Sequence, residues 1–191
     1  LVNALAYVDP LTQLPNRVLM RDRLKQALAS HKRLPRYGAL MFLDLDHFKP
    51  VNDAHGHIAG DLVLIEVAQR LMRCVRETDT VARFGGDEFV VMLADLHEDR
   101  PTSLAQARNV ADKVLRSLSE PYYLNLPQED GSVRHVMHEC GASIGLLLFH
   151  SEAGSEDRLL QRADSAMYRA KEAGRQTIVL AEPQPGDMAC A

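Results

Sequence analysis

The spacing of hydrophobic positions changes along the first half of the chain, and each change predicts a different element. Apolar residues recur at helical spacing from Asn16 to about His31, which predicts a helix. RYGALMFLDLD (36–46) is instead a nearly continuous apolar run, typical of a buried strand. A short helix near 48–54 and the glycine-rich turn HGHIAG then lead to a long amphipathic helix over 61–76.

Two pairs of apolar segments in the second half predict hairpins. TVARF and EFVVML flank two glycines, while EPYYL and VRHVMHECGASIGLLLF flank the turn residues QEDGS. Helices over 102–118 and about 156–173 and a last strand, TIVLA, complete the order. Because the central strands form hairpins and do not alternate strictly with helices, the pattern predicts an α+β fold. We expect a largely antiparallel sheet with helices packed on it, and not a doubly wound parallel sheet.

Composition narrows the class of protein. The chain has 191 residues, 46% of them hydrophobic, and a net charge of -4, which fits one globular domain with a substantial core. The mild acidity gives no reason to expect a nucleic-acid partner. No apolar run approaches the roughly 20 residues that span a bilayer. Three widely separated cysteines indicate a reducing compartment, so we expect a cytoplasmic domain, whether or not the full-length protein is attached to a membrane.

The ends of the chain suggest a fragment of a longer protein. LVNALAY has the pattern of the end of an incoming helix, so residues 1–8 are expected to be the end of an upstream signalling helix or linker. Residues 9–181 are expected to form the domain, and residues 182–191 a tail or linker.

Two pairs of carboxylates stand beside predicted strands. Asp44 and Asp46 end the buried strand and share one face, because side chains alternate along a strand. Asp87 and Glu88 follow the two glycines at the hairpin tip. Asp44 and Asp46 alone would fit strand termination and helix capping. If both pairs converge, the cost of burying carboxylates predicts a neutralising cation, and an all-oxygen site suits Mg²⁺, or Mn²⁺ as the alternative.

A magnesium site of this kind usually also binds substrate phosphates. The chain has no GxxxxGK[ST] phosphate loop, so P-loop chemistry is excluded and another phosphate cradle is needed. The turn HFKPVND offers backbone N–H groups at a helix N-terminus, where anions bind. Lys49, Lys171 and Arg175 would add positive charge, although each of them separately fits a solvated helix face.

Four motifs together resemble a known family. RFGGDEF, FLDLDHFKPVND, DPLTQLPNR and YRAKEAGRQ together resemble the GGDEF domain of diguanylate cyclases. The resemblance spans about residues 9–180, and four separated motifs in the right order along the chain make it specific. The resemblance implies a central, mostly antiparallel five-stranded sheet flanked by helices, as in nucleotidyl cyclases. It also implies the condensation of two GTP molecules into cyclic di-GMP with release of two pyrophosphates.

The resemblance assigns roles to the acidic residues. Asp44 and Asp87 would be metal ligands together with the backbone carbonyl of Leu45. Glu88 would complete the cluster, as a further ligand or as a helper in deprotonating the attacking 3′-hydroxyl. Arg83 would lie close to the reacting phosphates, so that Asp87, Glu88 and Arg83 are the expected catalytic residues.

The resemblance also implies the GTP-binding residues. Asn52 and Asp61 would hydrogen-bond the guanine edge, and the acceptor Asp61 would reject adenine, although it also fits a helix-start acid. Gly85 and Gly86 would let the backbone approach the nucleotide where a Cβ would clash. The backbone of His47, Phe48 and Lys49 would hold the phosphates. The side chains of Lys171 and Arg175 would also hold them.

Partners and regulation follow from the same family. One GTP per domain implies that catalysis needs a two-fold homodimer, whose assembly an upstream sensory domain would control. RETD (76–79) resembles the family's RxxD inhibitory site, where Arg76 and Asp79 would bind the product. The alternative is a helix-end Arg followed by a turn Asp, but the placement of RETD before RFGGDEF favours the inhibitory site. Arg108 is a candidate for the second arginine of that site. The alternative function is a catalytically silent module that binds GTP or cyclic di-GMP and regulates an attached domain.

Overall fold

The computed structural model of the chain describes residues 6–151 and 154–184. Of the predicted incoming helix, residues 1–5 lie outside these ranges, as do residues 185–191 of the predicted tail. Within them, the helices are α1 (Arg17–His31), α2 (Phe48–His55), α3 (His57–Cys74), α4 (Arg100–Ser119) and α5 (Glu156–Glu172). The strands are β1 (Gly38–Leu45), β2 (Thr80–Gly85), β3 (Glu88–Leu93), β4 (Tyr122–Pro127), β5 (Val133–His138), β6 (Ala142–Phe149) and β7 (Thr177–Leu180).

The main sheet has the strand order β2-β3-β1-β6-β7. β1 lies at its centre and pairs in antiparallel fashion with both β3 and β6. β2 and β3 are also antiparallel, and the parallel pair is β6 with β7. The α+β class and the mostly antiparallel five-stranded sheet predicted from the sequence are therefore confirmed.

Both faces of this sheet are covered by helices, which explains the nearly continuous apolar run of β1. All eight residues of β1 are buried. Met41 and Leu43 point into a core shared with α3 and α4, whereas Leu40 and Phe42 point into a second core shared with α1 and α5. A strand covered on both faces has no side that favours polar residues, so its sequence does not alternate.

The long helix differs from its prediction at both ends. α3 begins at His57 and ends at Cys74, whereas the pattern predicted 61–76. Gly56 alone separates α2 from α3, with a φ of 88° that ends the first helix. The predicted glycine-rich turn is therefore one residue, and the segment from His57 to Gly60 is helical.

The apolar segment VRHVMHECGASIGLLLF forms two strands, and not the single one that was predicted. β5 ends at His138 and pairs with β4 in a separate two-stranded ribbon, while β6 starts at Ala142 in the main sheet. Cys140, in the connection, is buried like β6, whereas β5 is mostly exposed, so the apolar run continues across the break. None of the helices in the described ranges is long and apolar enough to cross a membrane.

Helix α5 lies unusually close to the sheet at Gly145. A Cβ added at Gly145 in β6 would overlap the backbone of α5 at Ala163 and Met167. Because α5 carries Lys171 at its C-terminal end, the absence of a side chain at Gly145 sets the distance between that lysine and the sheet.

We expect Gly145→Ala to lower the free energy of unfolding by roughly 1–3 kcal/mol, because backbone atoms of a packed helix cannot move aside as a side chain can. Urea unfolding followed by circular dichroism measures the change. Ser165→Ala, on the exposed side of α5, is the matched control and should stay within about 0.5 kcal/mol of the parent chain. Equal stability of the two variants would contradict the close packing at Gly145.

Candidate active site

Three carboxylates meet at one end of the β1–β3 pair. The antiparallel register sets Asp44 directly opposite Glu88. The turn between β2 and β3 curls over the end of β1, where the N–H of Leu45 donates to the carbonyl of Asp87 at 3.3 Å. The structure therefore brings together the two acidic pairs that the sequence suggested, through Asp44 on one side and Asp87 and Glu88 on the other.

The acidic residues of this cluster are held in an environment that disfavours negative charge. Burial, together with the neighbouring carboxylate of Asp44, raises the pKa of Asp87 to about 7. Burial and the charges of Asp44 and Asp164 raise the pKa of Glu88 as well. The site thus concentrates more negative charge than its protein surroundings stabilise.

Lys171 supplies part of the missing positive charge. Its ammonium group contacts Oδ2 of Asp44. Burial alone would lower the pKa of Lys171, but the hydrogen bond to Asp44 and the charges of Asp44, Asp87 and Asp46 outweigh it and raise that pKa. The lysine is therefore a resident counter-charge for the cluster.

The donor set fits a hard divalent cation. Oδ1 of Asp44 is buried and has no hydrogen-bond partner among the described residues, which leaves an acceptor for a cation. No three His, Cys, Asp or Glu side chains in residues 6–151 and 154–184 stand in a geometry that would hold a metal by themselves. Mg²⁺ takes only one or two protein carboxylates and completes its shell with water and substrate oxygens, so Asp44 and Asp87 could hold it.

The guanidinium of Arg83 is engaged by other residues of the protein. Its Nη1 donates to Asp9 at 3.1 Å, and its Nε and Nη2 donate to the carbonyl of Gly86 at 3.0 and 2.9 Å. Its backbone N–H also donates to Pro15 at 3.0 Å. The guanidinium therefore braces the Gly85–Gly86 turn against the N-terminal segment, and its expected approach to the reacting phosphates stays a prediction.

Asp9 is a residue of the site region whose contact with Arg83 the sequence did not predict. Its side chain also caps the turn that follows, since Oδ2 accepts from the N–H and hydroxyl of Thr12 at 2.9 and 2.7 Å. Burial works against ionisation, but these hydrogen bonds and the Arg83 charge outweigh it and lower the pKa of Asp9.

The two glycines of the turn are required first by the backbone. Gly85 and Gly86 have φ values of 144° and 50°, and a Cβ at either position would meet no protein atom within 4 Å. The protein itself therefore constrains their conformation and leaves open space above them. The predicted close approach of a nucleotide stays a prediction.

Asn52 and Gly60 fit together across the α2–α3 junction. A Cβ at Gly60 would overlap Oδ1 of Asn52, so the glycine leaves the space that the amide occupies. Oδ1 of Asn52 is buried and has no hydrogen-bond partner within the described part of the chain. Asp61 follows Gly60, is exposed, and lies beyond the first turn of α3, so the helix-start explanation for this acid does not apply.

The expected phosphate-binding residues flank the acidic cluster. His47 has a left-handed φ of 58°, and Phe48 and Lys49 open α2 directly after the end of β1. Arg175 lies exposed in the turn after α5, also with a positive φ, of 64°. Lys171 lies on the other side of Asp44 and contacts it.

Comparison with known proteins decides the family. The family model described as diguanylate cyclase, GGDEF domain, matches residues 6–177. The chain belongs to the GGDEF family. Relatives with this domain include MucR from Pseudomonas aeruginosa, a bifunctional diguanylate cyclase and cyclic di-GMP phosphodiesterase, which is 45% identical over 171 residues, covering 90% of this chain. The chain spans only 23% of the length of MucR.

Solved GGDEF domains have the same architecture. The GGDEF domain of TpbB from Pseudomonas aeruginosa matches with a TM-score of 0.79 and 40% identity, covering 92% of this chain and 95% of that one. The coiled coil and GGDEF domain of DgcB from Caulobacter crescentus, solved with cyclic di-GMP, matches with a TM-score of 0.77 and 27% identity, covering 94% of this chain and 88% of that one.

The RETD segment of this GGDEF domain forms a compact turn. The carboxylate of Asp79 accepts from the N–H of Arg76 at 2.9 Å and from the N–H of Ala94 at 3.1 Å, and Arg76 stays largely exposed. Both residues line a cavity of about 530 Å³. Arg36 lines this cavity and Arg108 does not, so the geometry favours Arg36 over the arginine suggested from the sequence.

The contact between Gly60 and Asn52 predicts that the effect of Gly60→Ala on the free energy of unfolding changes sign when Asn52 is also replaced. Alone, Gly60→Ala should give no gain in the free energy of unfolding or a loss, because it displaces the buried amide. In an Asn52→Ala background the same change should stabilise the chain by about 0.5–1 kcal/mol, the helix preference of alanine over glycine. Urea unfolding of the four chains gives the coupling free energy, which should be roughly 1–2 kcal/mol. An equal effect in both backgrounds would contradict the contact.

Proposed function

We propose that this chain is the catalytic domain of a diguanylate cyclase, which condenses two GTP molecules into cyclic di-GMP and releases two pyrophosphates. The observation that carries the proposal is the cluster of Asp44, Asp87 and Glu88, which has a buried open oxygen on Asp44 and one lysine as counter-charge. A module that only binds nucleotide needs no such cluster. Membership of the GGDEF family supports the proposal.

The cluster is proposed to hold Mg²⁺ or Mn²⁺ through Asp44, Asp87 and the carbonyl of Leu45, with Glu88 as a further ligand. A bound divalent cation polarises a phosphoryl oxygen and stabilises the charge of a pyrophosphate leaving group. The alternative role proposed for Glu88, whose pKa is raised by burial and by Asp44 and Asp164, is to help remove the proton of an attacking 3′-hydroxyl. Lys171, next to Asp44, would hold phosphate oxygens beside the cluster.

The remaining residues are proposed to bind GTP or to brace the site. Asn52 and the exposed Asp61 would hydrogen-bond the guanine edge, and the backbone at the start of α2 would bind phosphates with Arg175. Arg83 is proposed to act as a positioning residue, because its guanidinium is engaged by Asp9 and Gly86.

The reaction joins two nucleotides, so two domains are needed. We propose that two copies of the domain face each other about a two-fold axis, each with one GTP, and that an upstream domain of the full-length protein controls their meeting. The rate should then rise more steeply than linearly with protein concentration, as expected when the active species is a dimer.

Product analysis after incubation with GTP and Mg²⁺ tests the proposed activity. We expect cyclic di-GMP from the parent chain and a loss of at least about 10²-fold in turnover for Asp87→Asn, because the substitution removes a charged metal ligand. Asp112→Asn, which neutralises an exposed carboxylate on α4, is the matched control and should retain activity. Turnover retained in Asp87→Asn would refute the metal assignment. GTP binding without any product, at high protein concentration, would favour the silent regulatory module.

Product inhibition at RETD is the second part of the proposal. The exposed guanidinium of Arg76 and the cavity beside Asp79, which Arg36 also lines, offer phosphate and guanine contacts on a face away from the acidic cluster. Cyclic di-GMP bound in this separate cavity would limit its own synthesis without occupying the residues that are proposed to bind GTP.

Arg76→Ala should raise the cyclic di-GMP concentration that halves the rate by about tenfold or more, because the side chain supplies a charge-assisted contact to phosphate. Initial rates at several product concentrations measure the shift. Arg73→Ala, on the exposed face of the last turn of α3, is the control for removing a nearby positive charge. Equal inhibition of both variants would remove RETD from the proposal.

A further inference from the structure

Asp46, two residues after Asp44, is buried but does not share the cluster's open geometry. It is 3% exposed. Its Oδ1 accepts from the hydroxyl of Ser143 at 2.7 Å, and its Oδ2 accepts from the backbone N–H of Gln176 at 2.8 Å. Both oxygens therefore have protein donors, whereas Oδ1 of Asp44 has none.

The turn that Asp46 holds has a disfavoured backbone. Gly174, Arg175 and Gln176 have successive positive φ values of 109°, 64° and 44°. Residues with a side chain rarely adopt this region, and two in a row persist only where surrounding contacts enforce them. The Asp46 hydrogen bond is one such contact, and the bond from the N–H of Arg175 to Ala170 at 3.1 Å is another.

The packing around Gln176 completes the attachment of this turn. Its side chain passes Gly141, where a Cβ would stand 3.1 Å from Cγ of Gln176, and its Nε2 donates to Ser119 at 3.3 Å. The carbonyl of Gly141 in turn accepts from the N–H of Asp46 at 2.8 Å. The end of β1, the start of β6 and the turn after α5 are thus joined at one buried carboxylate.

We propose that Asp46 is a positioning residue of this GGDEF domain, which fixes the strained 174–176 turn and thereby the direction of Arg175 relative to Asp44. Ser143 orients the Asp46 carboxylate. The inference rests on the proposed function, in which Asp44 binds the metal and Arg175 binds phosphate. Asp46 then links the metal-binding and the phosphate-binding residues. It assigns to the second aspartate of the DLD sequence a task that differs from that of the first.

Two substitutions of Asp46 separate positioning from metal binding. Asparagine keeps the size of the side chain and can satisfy both partners, with Oδ1 accepting from Gln176 and Nδ2 donating to the Ser143 hydroxyl. Alanine removes both hydrogen bonds. We therefore expect Asp46→Asn to keep KM and kcat within about threefold of the parent chain, and Asp46→Ala to raise the KM for GTP about tenfold with a smaller change in kcat.

The Mg²⁺ concentration for half-maximal rate should stay unchanged in both variants. A large loss of kcat in Asp46→Asn, with a raised Mg²⁺ requirement, would overturn the proposal and make Asp46 a metal ligand. Arg175→Ala added to Asp46→Ala should raise KM little further, because the arginine has already lost its position. If the double variant instead raises KM by the product of the two single effects, the proposal is contradicted.

Amide hydrogen exchange tests the positioning claim without any reaction. The N–H of Gln176 should exchange at least about tenfold faster in Asp46→Ala than in the parent chain, and close to the parent rate in Asp46→Asn. Ser143→Ala, which leaves the Gln176 bond in place, should give an intermediate rate and decides the question if Asp46→Ala does not fold. Unchanged exchange in the disrupted variants would refute the proposal. If the variants show this exchange pattern but the parent chain makes no cyclic di-GMP, the proposed function is refuted and the positioning role of Asp46 is not.

Discussion

The repulsion among carboxylates at the end of β1 is the constraint on which the rest of the site depends. Asp44, Asp87 and Glu88 are drawn together by strand register, which is set by the apolar residues farther along β1 and β3. The hydrophobic core therefore enforces an electrostatically unfavourable cluster, and the raised pKa of Asp87 expresses that conflict. A cation would relieve it, and Lys171 relieves part of it.

The fold brings Lys171 to the cluster by close packing. Gly145 lets α5 lie directly on β6, and the lysine extends from the end of that helix to Asp44. On the other side of the sheet end, Arg83 holds the glycine turn from behind. Positive charge is thus supplied to the acids by Lys171 from α5, outside the pair of strands that carries them.

Much of this arrangement follows from local sequence, and the parts that do not follow depend on contacts between distant segments. The spacing of apolar residues identified α1, β1 and the β2–β3 hairpin, because burial imposes a period on each. It missed the break between β5 and β6, since Cys140 is buried there like a strand residue.

The acidic cluster followed from motifs, but the partners of its supporting residues did not. Asp9 and Arg83 lie far apart in the chain, and nothing local to either predicts their ion pair. The same holds for Asp46 and Gln176. The bracing contact of Arg83 also has a practical consequence for protein engineering. The Asp9–Asn16 segment is tied through Arg83 to the glycine turn. A chimera with an input domain should therefore be joined ahead of Asp9, because a junction inside the segment would remove a brace of the β2–β3 hairpin.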